Sequence, residues 1–497
     1  MNMKKIVYIL TTILFSAAVL TSCFEDKGSD KYDPFGQITV SGIEGEYSLI
    51  SFADVLEINP QITSTDPSDT FEYLWTIYEN ISVVVGGYIK TDTIGREKNL
   101  HYPLDLSPGT YTVILRVANA ANGYAEFFNT TLRTGTPFTT GYYFLKQTAD
   151  GNTEMDFRNP AGDMFYNLLK ERLGEPLQGA PNRLTIVSGY SYMDLETTAS
   201  KTGTIIMPTS VKDVRLMLVA DLSLVYDHKT MFYGETPEDE VPHVAFLNIF
   251  NYPFYLSSKG SYMTSSGIYG YPTVPAGGCS MSKHMIFSPG FNGYPITASM
   301  FDELNGRFVK VDYNNYLLSH LDNNGLSSSN IRHKLLFMGT SATSSAAGWA
   351  IFEDETDSTV RYLYRLASAT TNSITSIVTI NPSLHFNRAQ IYGTNKSMQR
   401  LYGAIGDKLY MYNAESGEET ELTPTGFGTG EEITMITHKN GQGNYLIIAT
   451  YKDGKYKVYM YIMSGGAPYG APEIVAEGTG KIVDIQHTGT TNGYINH

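Results

Sequence analysis

The chain has 497 residues, too many for one ordinary domain, so we expect about three domains, or fewer if one is a large β-architecture. Hydrophobic residues make up 42% of it and charged residues only 17%, which rules out a disordered chain or a coiled coil. Its formal net charge of −15 would repel a phosphate backbone and argues against nucleic-acid binding. The 37 tyrosines and 46 glycines favour half-buried strands joined by tight turns.

The first residues have the pattern of a secretory signal. Lys4-Lys5 precede an uncharged apolar run, Ile6 to Leu20, which is too short to span a bilayer. The run ends in Leu20-Thr21-Ser22-Cys23, which resembles a bacterial lipobox. The resemblance implies that residues 1–22 are a lipoprotein signal peptide and that Cys23 becomes the lipidated first residue. The alternative is an ordinary signal peptide followed by an incidental cysteine.

Residues 23–36 are polar, and we predict that they form a short acidic tether. The sequence Phe24-Glu25-Asp26 resembles the surface-export signal of lipoproteins in the Bacteroidota, which implies an outer-membrane protein that faces the cell exterior. If Cys23 carries lipid, Cys279 has no partner for an intrachain disulfide. We interpret Cys279 as a small buried residue.

Residues 37–135 form a succession of predicted strands. One strand, Tyr73–Tyr78, alternates around Trp75, and another follows the turn at Pro108-Gly109. Asn122-Gly123 predicts the hairpin that comes next. The Trp75 strand and the segment Pro108–Asn119 resemble a PKD domain. This resemblance implies an immunoglobulin-like β-sandwich with Trp75 in its core.

Residues 136–497 show one helical pattern, from Asp163 to Leu173, and are otherwise rich in predicted β-hairpins. Turns of these hairpins fall near residues 151, 201, 260, 306, 356, 407 and 454. A repeat of about 50 residues is typical of a four-stranded propeller blade. We therefore predict an all-β chain in which a propeller of about seven blades follows the sandwich. The strand Lys481–Gln486 is predicted to close the ring on the first blade. A large sandwich with unrelated hairpins is the alternative.

The usual catalytic and metal-binding motifs do not occur in this sequence. It contains no phosphate-binding loop, no H-E-x-x-H and no C-x-x-C, and its 10 histidines are scattered singly. The oxygen-rich segments Asp322–Gly325 and Glu353–Asp357 lack the spacing of a calcium loop, and we interpret them as polar turns. We predict no catalytic residue, no metal site and no cofactor.

Aromatic side chains are concentrated between Asn251 and Tyr294, where they alternate with proline and glycine. Rigid rings on stiffened loops suit sugar-stacking or peptide-binding surfaces, because they lose little entropy when they become ordered. The alternative is that most of these rings fill the space between blades. The candidate ligand-binding residues are Tyr252, Tyr255, Tyr269, Tyr271 and Tyr294.

The order of signal peptide, lipobox, PKD-like domain and β-rich body resembles the PKD-like lipoproteins of the Bacteroidota. The resemblance implies an accessory role beside a TonB-dependent importer and its substrate-binding lipoprotein, the SusC/SusD type, in the uptake of a glycan or peptide. Two alternatives stay open. One is a propeller hydrolase or lyase, which needs clustered acids at the channel mouth. The other is an assembly partner of the importer without a ligand of its own.

Overall fold

The computed structural model describes residues 36–51, 54–80, 91–248, 250–265, 267–289, 295–312, 314–319, 325–340, 348–366, 374–395, 398–439 and 442–488. The signal peptide, Cys23 and Tyr294 lie outside these residues. The structure divides into two compact units between Thr134 and Gly135. Among the described residues, no helix has the length and apolar character needed to cross a membrane.

The strands of the first unit are β1 (Ile38–Ser41), β2 (Glu46–Ile50), β3 (Val55–Ile58), β4 (Gln61–Ser64), β5 (Phe71–Glu79), β6 (Asp92–Gly95), β7 (Leu100–Pro103), β8 (Gly109–Asn119) and β9 (Ala125–Gly135). They form an antiparallel five-stranded sheet in the order β2-β9-β8-β5-β6, together with the pairs β1-β4 and β3-β7. This is the predicted immunoglobulin-like β-sandwich.

The core of the sandwich forms around Trp75. Its side chain is fully buried, and its indole N–H donates to the carbonyl of Glu97 at 3.0 Å. On the adjacent strand β8, alternate residues such as Val113 and Leu115 are also fully buried, as the period of two requires. The hydroxyl of Tyr111, in the same core, donates to the carbonyl of Ser107 at 2.8 Å.

The strands of the second unit are β10 (Gly141–Gln147), β11 (Thr153–Arg158), β12 (Met164–Phe165), β13 (Pro181–Met193), β14 (Ser200–Ser210), β15 (Arg215–Leu218), β16 (Leu224–Asp227), β17 (Pro242–Leu247), β18 (Pro253–Ser257), β19 (Gly260–Met263), β20 (Met281–Pro289), β21 (Pro295–Asp302), β22 (Arg307–Val311), β23 (Leu317–Ser319), β24 (His333–Thr340), β25 (Gly348–Asp354), β26 (Arg361–Leu366), β27 (Ile374–Ile380), β28 (Ile391–Thr394), β29 (Arg400–Ile405), β30 (Lys408–Asn413), β31 (Glu419–Leu422), β32 (Glu432–Lys439), β33 (Gln442–Lys452), β34 (Lys455–Ser464), β35 (Ala467–Thr479) and β36 (Lys481–Thr488). A helix, α1 (Leu168–Leu173), and a 3-10 helix, Phe386–Arg388, are the helical elements described in this unit.

Within the described residues, the strands of the second unit form seven antiparallel sheets, which are the blades of a β-propeller. Blade 1 has the order β36-β10-β11-β12, and the later blades are β13–β16, β17–β19, β20–β23, β24–β27, β28–β31 and β32–β35. The last strand, β36, pairs antiparallel with β10, so the two ends of the unit share one sheet. This pairing closes the ring as predicted and leaves no free sheet edge between the first and last blades.

Apolar clusters fill the spaces between successive blades. One cluster joins Phe246 and Phe254 of blade 3 to Met285 and Met300 of blade 4, and corresponding clusters join other neighbouring blades. Each sheet therefore buries both of its faces, which explains the high aromatic content and the low charge of the chain.

Two local predictions are corrected by the structure. The helix predicted from Asp163 begins only at Leu168, because Met164 and Phe165 pair with β11 as a short edge strand. Gly174 ends the helix in the left-handed conformation, which glycine adopts readily. The turn near residue 201 joins the first and second strands of blade 2, whereas the other six predicted turns join second and third strands.

Candidate functional site

The first strand of each blade lies innermost and borders the central channel. Each of these strands contacts the first strand of the next blade through backbone packing or, between β17 and β20, through a side-chain hydrogen bond. We call them the inner strands: β36, β13, β17, β20, β24, β28 and β32. Side chains of the inner strands are the ones placed to meet a ligand that enters the channel.

Polar and charged side chains gather at one level of this channel, on the inner strands of blades 1 to 4. Each lies within the first four residues of its strand, so they share a similar height along the channel. We call this group the channel belt: Asn182, Arg183, His243, Lys283, His284 and Asp484.

The belt begins with an ion pair between blades 1 and 2. The Nε of Arg183 lies 3.5 Å from Oδ2 of Asp484, and the two side chains are only 14% and 3% exposed. The same carboxylate accepts the backbone N–H groups of Leu184 and Ile485, at 2.9 and 2.8 Å. Burial raises the pKa of Asp484, while Arg183 and the two N–H donors oppose that rise. Burial also lowers the pKa of Arg183, and Asp484 opposes this change.

A hydrogen-bonded chain continues from blade 2 to blade 4. The amide nitrogen Nδ2 of Asn182 lies 2.5 Å from the carbonyl oxygen of Pro242 and 3.0 Å from Nδ1 of His243. Nε2 of His243 lies 2.8 Å from the carbonyl oxygen of Met281. An amide donor at Nδ1 and a carbonyl acceptor at Nε2 require the neutral imidazole with its proton on Nε2. Burial lowers the pKa of His243 to about 4, so the ring is neutral at pH 7.

Lys283 and His284 complete the belt on blade 4. Both remain partly exposed, and Lys283 makes no side-chain hydrogen bond or salt bridge with any residue that the structure describes. Burial lowers the pKa of Lys283, and the nearby charge of Arg183 lowers it further. Burial holds the pKa of His284 well below 6.5, with Lys283 and Arg183 acting in the same direction. The belt therefore has two cations, Arg183 and Lys283, for one carboxylate.

Neutral contacts join the inner strands on the other side of the ring. The hydroxyl of Thr340 accepts the backbone N–H of Phe287 at 3.1 Å, and the hydroxyl of Thr394 donates to the carbonyl of Thr340 at 2.9 Å. Between blades 7 and 1, Lys481 lies 2.9 Å from Glu432, so its charge is matched. Among the partly buried cations on the inner strands that the structure describes, Lys283 is the one without a salt bridge, whereas Lys334 of β24 is exposed.

The tyrosines predicted to bind a ligand separate into two classes. Tyr255 and Tyr269 are fully buried in the apolar cluster between blades 2 and 3. These two are core residues, and their rings fill the space between adjoining sheets. Tyr252, in the turn between β17 and β18, is 42% exposed, and Tyr271, which follows β19, is 96% exposed. These two stay candidates for ligand contact. Tyr294 lies outside the described residues.

Acidic side chains do not form a catalytic pair in the channel belt, where Asp484 is the one carboxylate among the described residues. Other buried acids are bound within or between blades. Glu240, for example, accepts hydrogen bonds from Ser257, Tyr262 and His228. In the part of the chain that the structure describes, no three His, Cys, Asp or Glu residues are grouped to hold a metal ion.

The channel belt could not be found from the sequence, because its members lie on four different blades and Asp484 is 301 residues from Arg183. One local signal was present. Lys283-His284 interrupts an apolar strand between Met281 and Met285, and a charged pair within a buried strand suggests a function.

The comparisons with known proteins support the organisation of the chain. The model of the PKD-like family matches residues 23–181, which is 159 of the 497 residues. The match covers the first unit and extends into the start of the second. Among curated proteins there is no match.

Several solved structures resemble the chain at low identity. A quinonprotein alcohol dehydrogenase-like protein from Bacteroides thetaiotaomicron is 12% identical, covers 91% of this chain and 99% of its own, and has a TM-score of 0.41. The Dos1 propeller is 13% identical, with coverage of 68% and 87% and a TM-score of 0.37. A DUF4784 family protein from Bacteroides caccae is 8% identical, with coverage of 78% and 95% and a TM-score of 0.32. The chain thus contains a PKD-like N-terminal domain followed by a β-propeller.

Proposed function

We propose that this protein is a surface-exposed outer-membrane lipoprotein and an accessory binding component of a TonB-dependent importer of the SusC/SusD type. Its ligand in this proposal is a glycan or peptide. The lipobox Leu20–Cys23 and the acidic residues that follow it support the location. The match to the PKD-like family starts at residue 23, which agrees with a mature protein that begins at Cys23.

The channel belt is the observation that carries the binding part of the proposal. Burying charged groups costs free energy unless they are paired, and a purely structural channel wall has no need of them. Here Arg183, Lys283 and Asp484 lie on inner strands, and the side chain of Lys283 makes no hydrogen bond within the described residues. A wall of this kind is better suited to a polar ligand than to a passive scaffold. Tyr252 and Tyr271 would add contacts outside the channel.

Lipidation and importer association test the location and the partner. The full-length chain with an affinity tag is produced in a Bacteroidota host and labelled with a fatty-acid analogue. We expect label and outer-membrane fractionation for the natural chain and for Cys279→Ala, and loss of both for Cys23→Ala. We also expect an importer and its substrate-binding lipoprotein to co-purify with the natural chain. Unlabelled protein, or labelled protein without an importer, contradicts the proposal.

Ligand binding separates the proposal from its two alternatives. The purified chain is titrated with panels of oligosaccharides and peptides, and each mixture is then analysed for products. Binding without turnover supports the proposal. Product formation identifies a hydrolase or lyase instead, and importer association without any ligand identifies an assembly partner.

A further inference from the structure

We propose that Lys283 and Arg183 form a carboxylate-binding subsite in the channel of the propeller. The inference rests on the proposed binding function and names the chemical class of its ligand: a small acidic molecule, such as a uronic acid or a peptide with a free terminal carboxylate. The geometry that suggests it is the position of both cations on inner strands, at one level of the channel.

The charge balance of the belt supports an anionic ligand. Arg183 and Lys283 carry positive charges, while Asp484 supplies one negative charge. His243 is buried between Asn182 and the carbonyl of Met281 and adds no charge. The belt therefore has an excess positive charge inside a protein whose formal net charge is −15. A ligand carboxylate would pair with the ammonium group of Lys283, which forms no salt bridge with the acids that the structure describes.

Asp484 is already committed to other donors. One of its oxygens accepts from the backbone of Ile485, and the other accepts from the backbone of Leu184 and lies 3.5 Å from Arg183. These contacts fix the carboxylate against blade 2. Lys283 lies on blade 4, two blades beyond blade 2. Its ammonium group forms no salt bridge with Asp484 or with any other described acid. A second carboxylate, brought by a ligand, is the partner that the ammonium group lacks.

Access and shape also favour this ligand class. The side chain of Arg183 is 14% exposed and Lys283 is partly exposed, although both lie on innermost strands. Because both lie on strands that border the channel, a small ligand that enters the channel can reach them. Guanidinium and ammonium groups both form strong charge-assisted hydrogen bonds to carboxylates. The ring of His284, packed 6.0 Å from that of Phe337, provides an adjoining aromatic surface.

The test compares acids with neutral molecules of the same shape. The full chain is titrated calorimetrically with D-galacturonate and D-galactose, and separately with N-acetyl-dialanine and its C-terminal amide. We expect at least one acid to bind about tenfold or more tightly than its neutral counterpart, because a charge-assisted bond is lost in the neutral molecule. The pair that shows the preference identifies whether the carboxylate belongs to a sugar or a peptide. Equal affinities within both pairs, or no binding by either acid, would overturn the subsite.

Substitution at Lys283 provides the second measurement. Lys283→Met should weaken binding of the preferred acid about tenfold or more and leave its neutral counterpart unchanged. Lys310→Met, on the third strand of the same blade, is the matched control and should change neither. Unchanged acid binding in Lys283→Met contradicts the proposal. If Lys283→Met does not fold, the natural chain is titrated at rising salt, where acid affinity must fall and neutral affinity must hold.

Failure of the subsite and failure of the proposed function look different. Neutral ligands that bind and are insensitive to Lys283→Met would remove the carboxylate subsite and preserve the accessory binding role. Absence of lipidation at Cys23, or of an associated importer, would remove the proposed function irrespective of what Lys283 binds.

Discussion

The two units bury different kinds of side chains. The sandwich has one apolar core around Trp75, and among its described residues no acidic or basic side chain is buried. The propeller has apolar clusters between its blades and also buries acidic and basic side chains, including Lys146, Asp156, Glu240 and Asp484. Two sheets can cover each other with apolar residues alone. A ring of sheets must also hold its connections and its channel wall in place, and polar contacts do this here.

One polar contact occurs in two blades at the same position. Glu240 and Glu431 each lie just before an inner strand and are almost fully buried. Glu240 accepts the hydroxyl of Tyr262 at 2.7 Å, and Glu431 accepts that of Tyr459 at 2.8 Å. In both blades the tyrosine belongs to the third strand. The carboxylate therefore ties the segment that enters a blade to the middle of its sheet.

A second polar contact joins blade 1 to blade 7, where the two ends of the propeller meet. We call this junction the seam of the ring. Asp156 of blade 1 accepts from Lys146 of the same blade and from the hydroxyl of Tyr456 of blade 7, both at 2.7 Å. Lys146 and Asp156 are almost completely buried. We therefore expect truncation of a buried apolar side chain to lower the stability of the sandwich most. Loss of one partner of a buried ion pair should lower the stability of the propeller.

Removing the central side chain of the sandwich should cause the greatest loss of stability. Trp75→Ala should destabilise the first unit by about 3–5 kcal/mol, because it removes a large buried side chain and leaves a cavity. The only other tryptophan, Trp349, lies in the propeller and reports on that unit by fluorescence. In a denaturant titration of this variant, circular dichroism should show that the sandwich unfolds at a lower denaturant concentration. The transition that Trp349 fluorescence reports for the propeller should keep the midpoint it has in the natural chain. Phe127→Ala, at a side chain that is 64% exposed, should have little effect on either signal.

A comparable loss is expected when the seam of the ring is broken. Asp156→Ala leaves the ammonium of Lys146 buried without its partner, which should cost about 3–5 kcal/mol. The matched control is Glu421→Ala, because Glu421 and Lys408 form a salt bridge whose side chains are 46% and 59% exposed. Its loss should cost about 1 kcal/mol or less. Equal changes in the two variants, both made in a Trp75→Phe background so that the fluorescence in denaturant comes from Trp349 alone, would contradict the role given to the seam.

Acid should weaken the propeller through His243. Its pKa is about 4 in the folded chain and about 6.5 when unfolded, so the unfolded state binds more protons between these values. Its contribution to stability is complete above pH 6.5 and is lost as the pH falls towards 4, by about 3 kcal/mol in total. His284 acts in the same direction. His243→Gln should therefore reduce, without abolishing, the fall in unfolding free energy between pH 6.5 and 4.

The control for this pH experiment is His101→Gln, at an exposed histidine of the sandwich. It should leave the pH dependence of propeller unfolding unchanged. A pH dependence that is identical in His243→Gln and the natural chain would show that the buried imidazole does not contribute.

The smallest change in stability is expected for Tyr269 and Tyr271, which are two residues apart in the sequence but differ in burial. Tyr269→Phe breaks a buried hydrogen bond of 2.7 Å between its hydroxyl and that of Tyr190, and should destabilise the propeller by about 1 kcal/mol. Tyr271→Phe, at a side chain that is 96% exposed, should change stability by less than about 0.5 kcal/mol. Thermal unfolding of both variants measures the difference. A larger effect for Tyr271 would contradict the assignment of core and surface.

Several features of the fold could be predicted because they depend on neighbouring residues. Alternation around Trp75 and along β8 predicts strands with one buried face. Turn residues about 50 positions apart predict the blades, and the apolar strand near the C-terminus predicts the closure with β10. The predicted start of helix α1 was wrong, because Met164 and Phe165 pair with β11 and do not follow the helical pattern of the sequence.

The class of structure in each region follows from the amino-acid order, since periodicity and turn chemistry are local properties of the chain. Which aromatic rings are buried and which charges meet depends instead on how the blades pack in three dimensions. Tyr269 and Tyr271 stand in similar sequence surroundings, and their burial differs because one lies between two blades and the other does not. Arg183, Lys283 and Asp484 are distant in sequence and become neighbours because the ring closes, which places the first strands of all its blades around one channel.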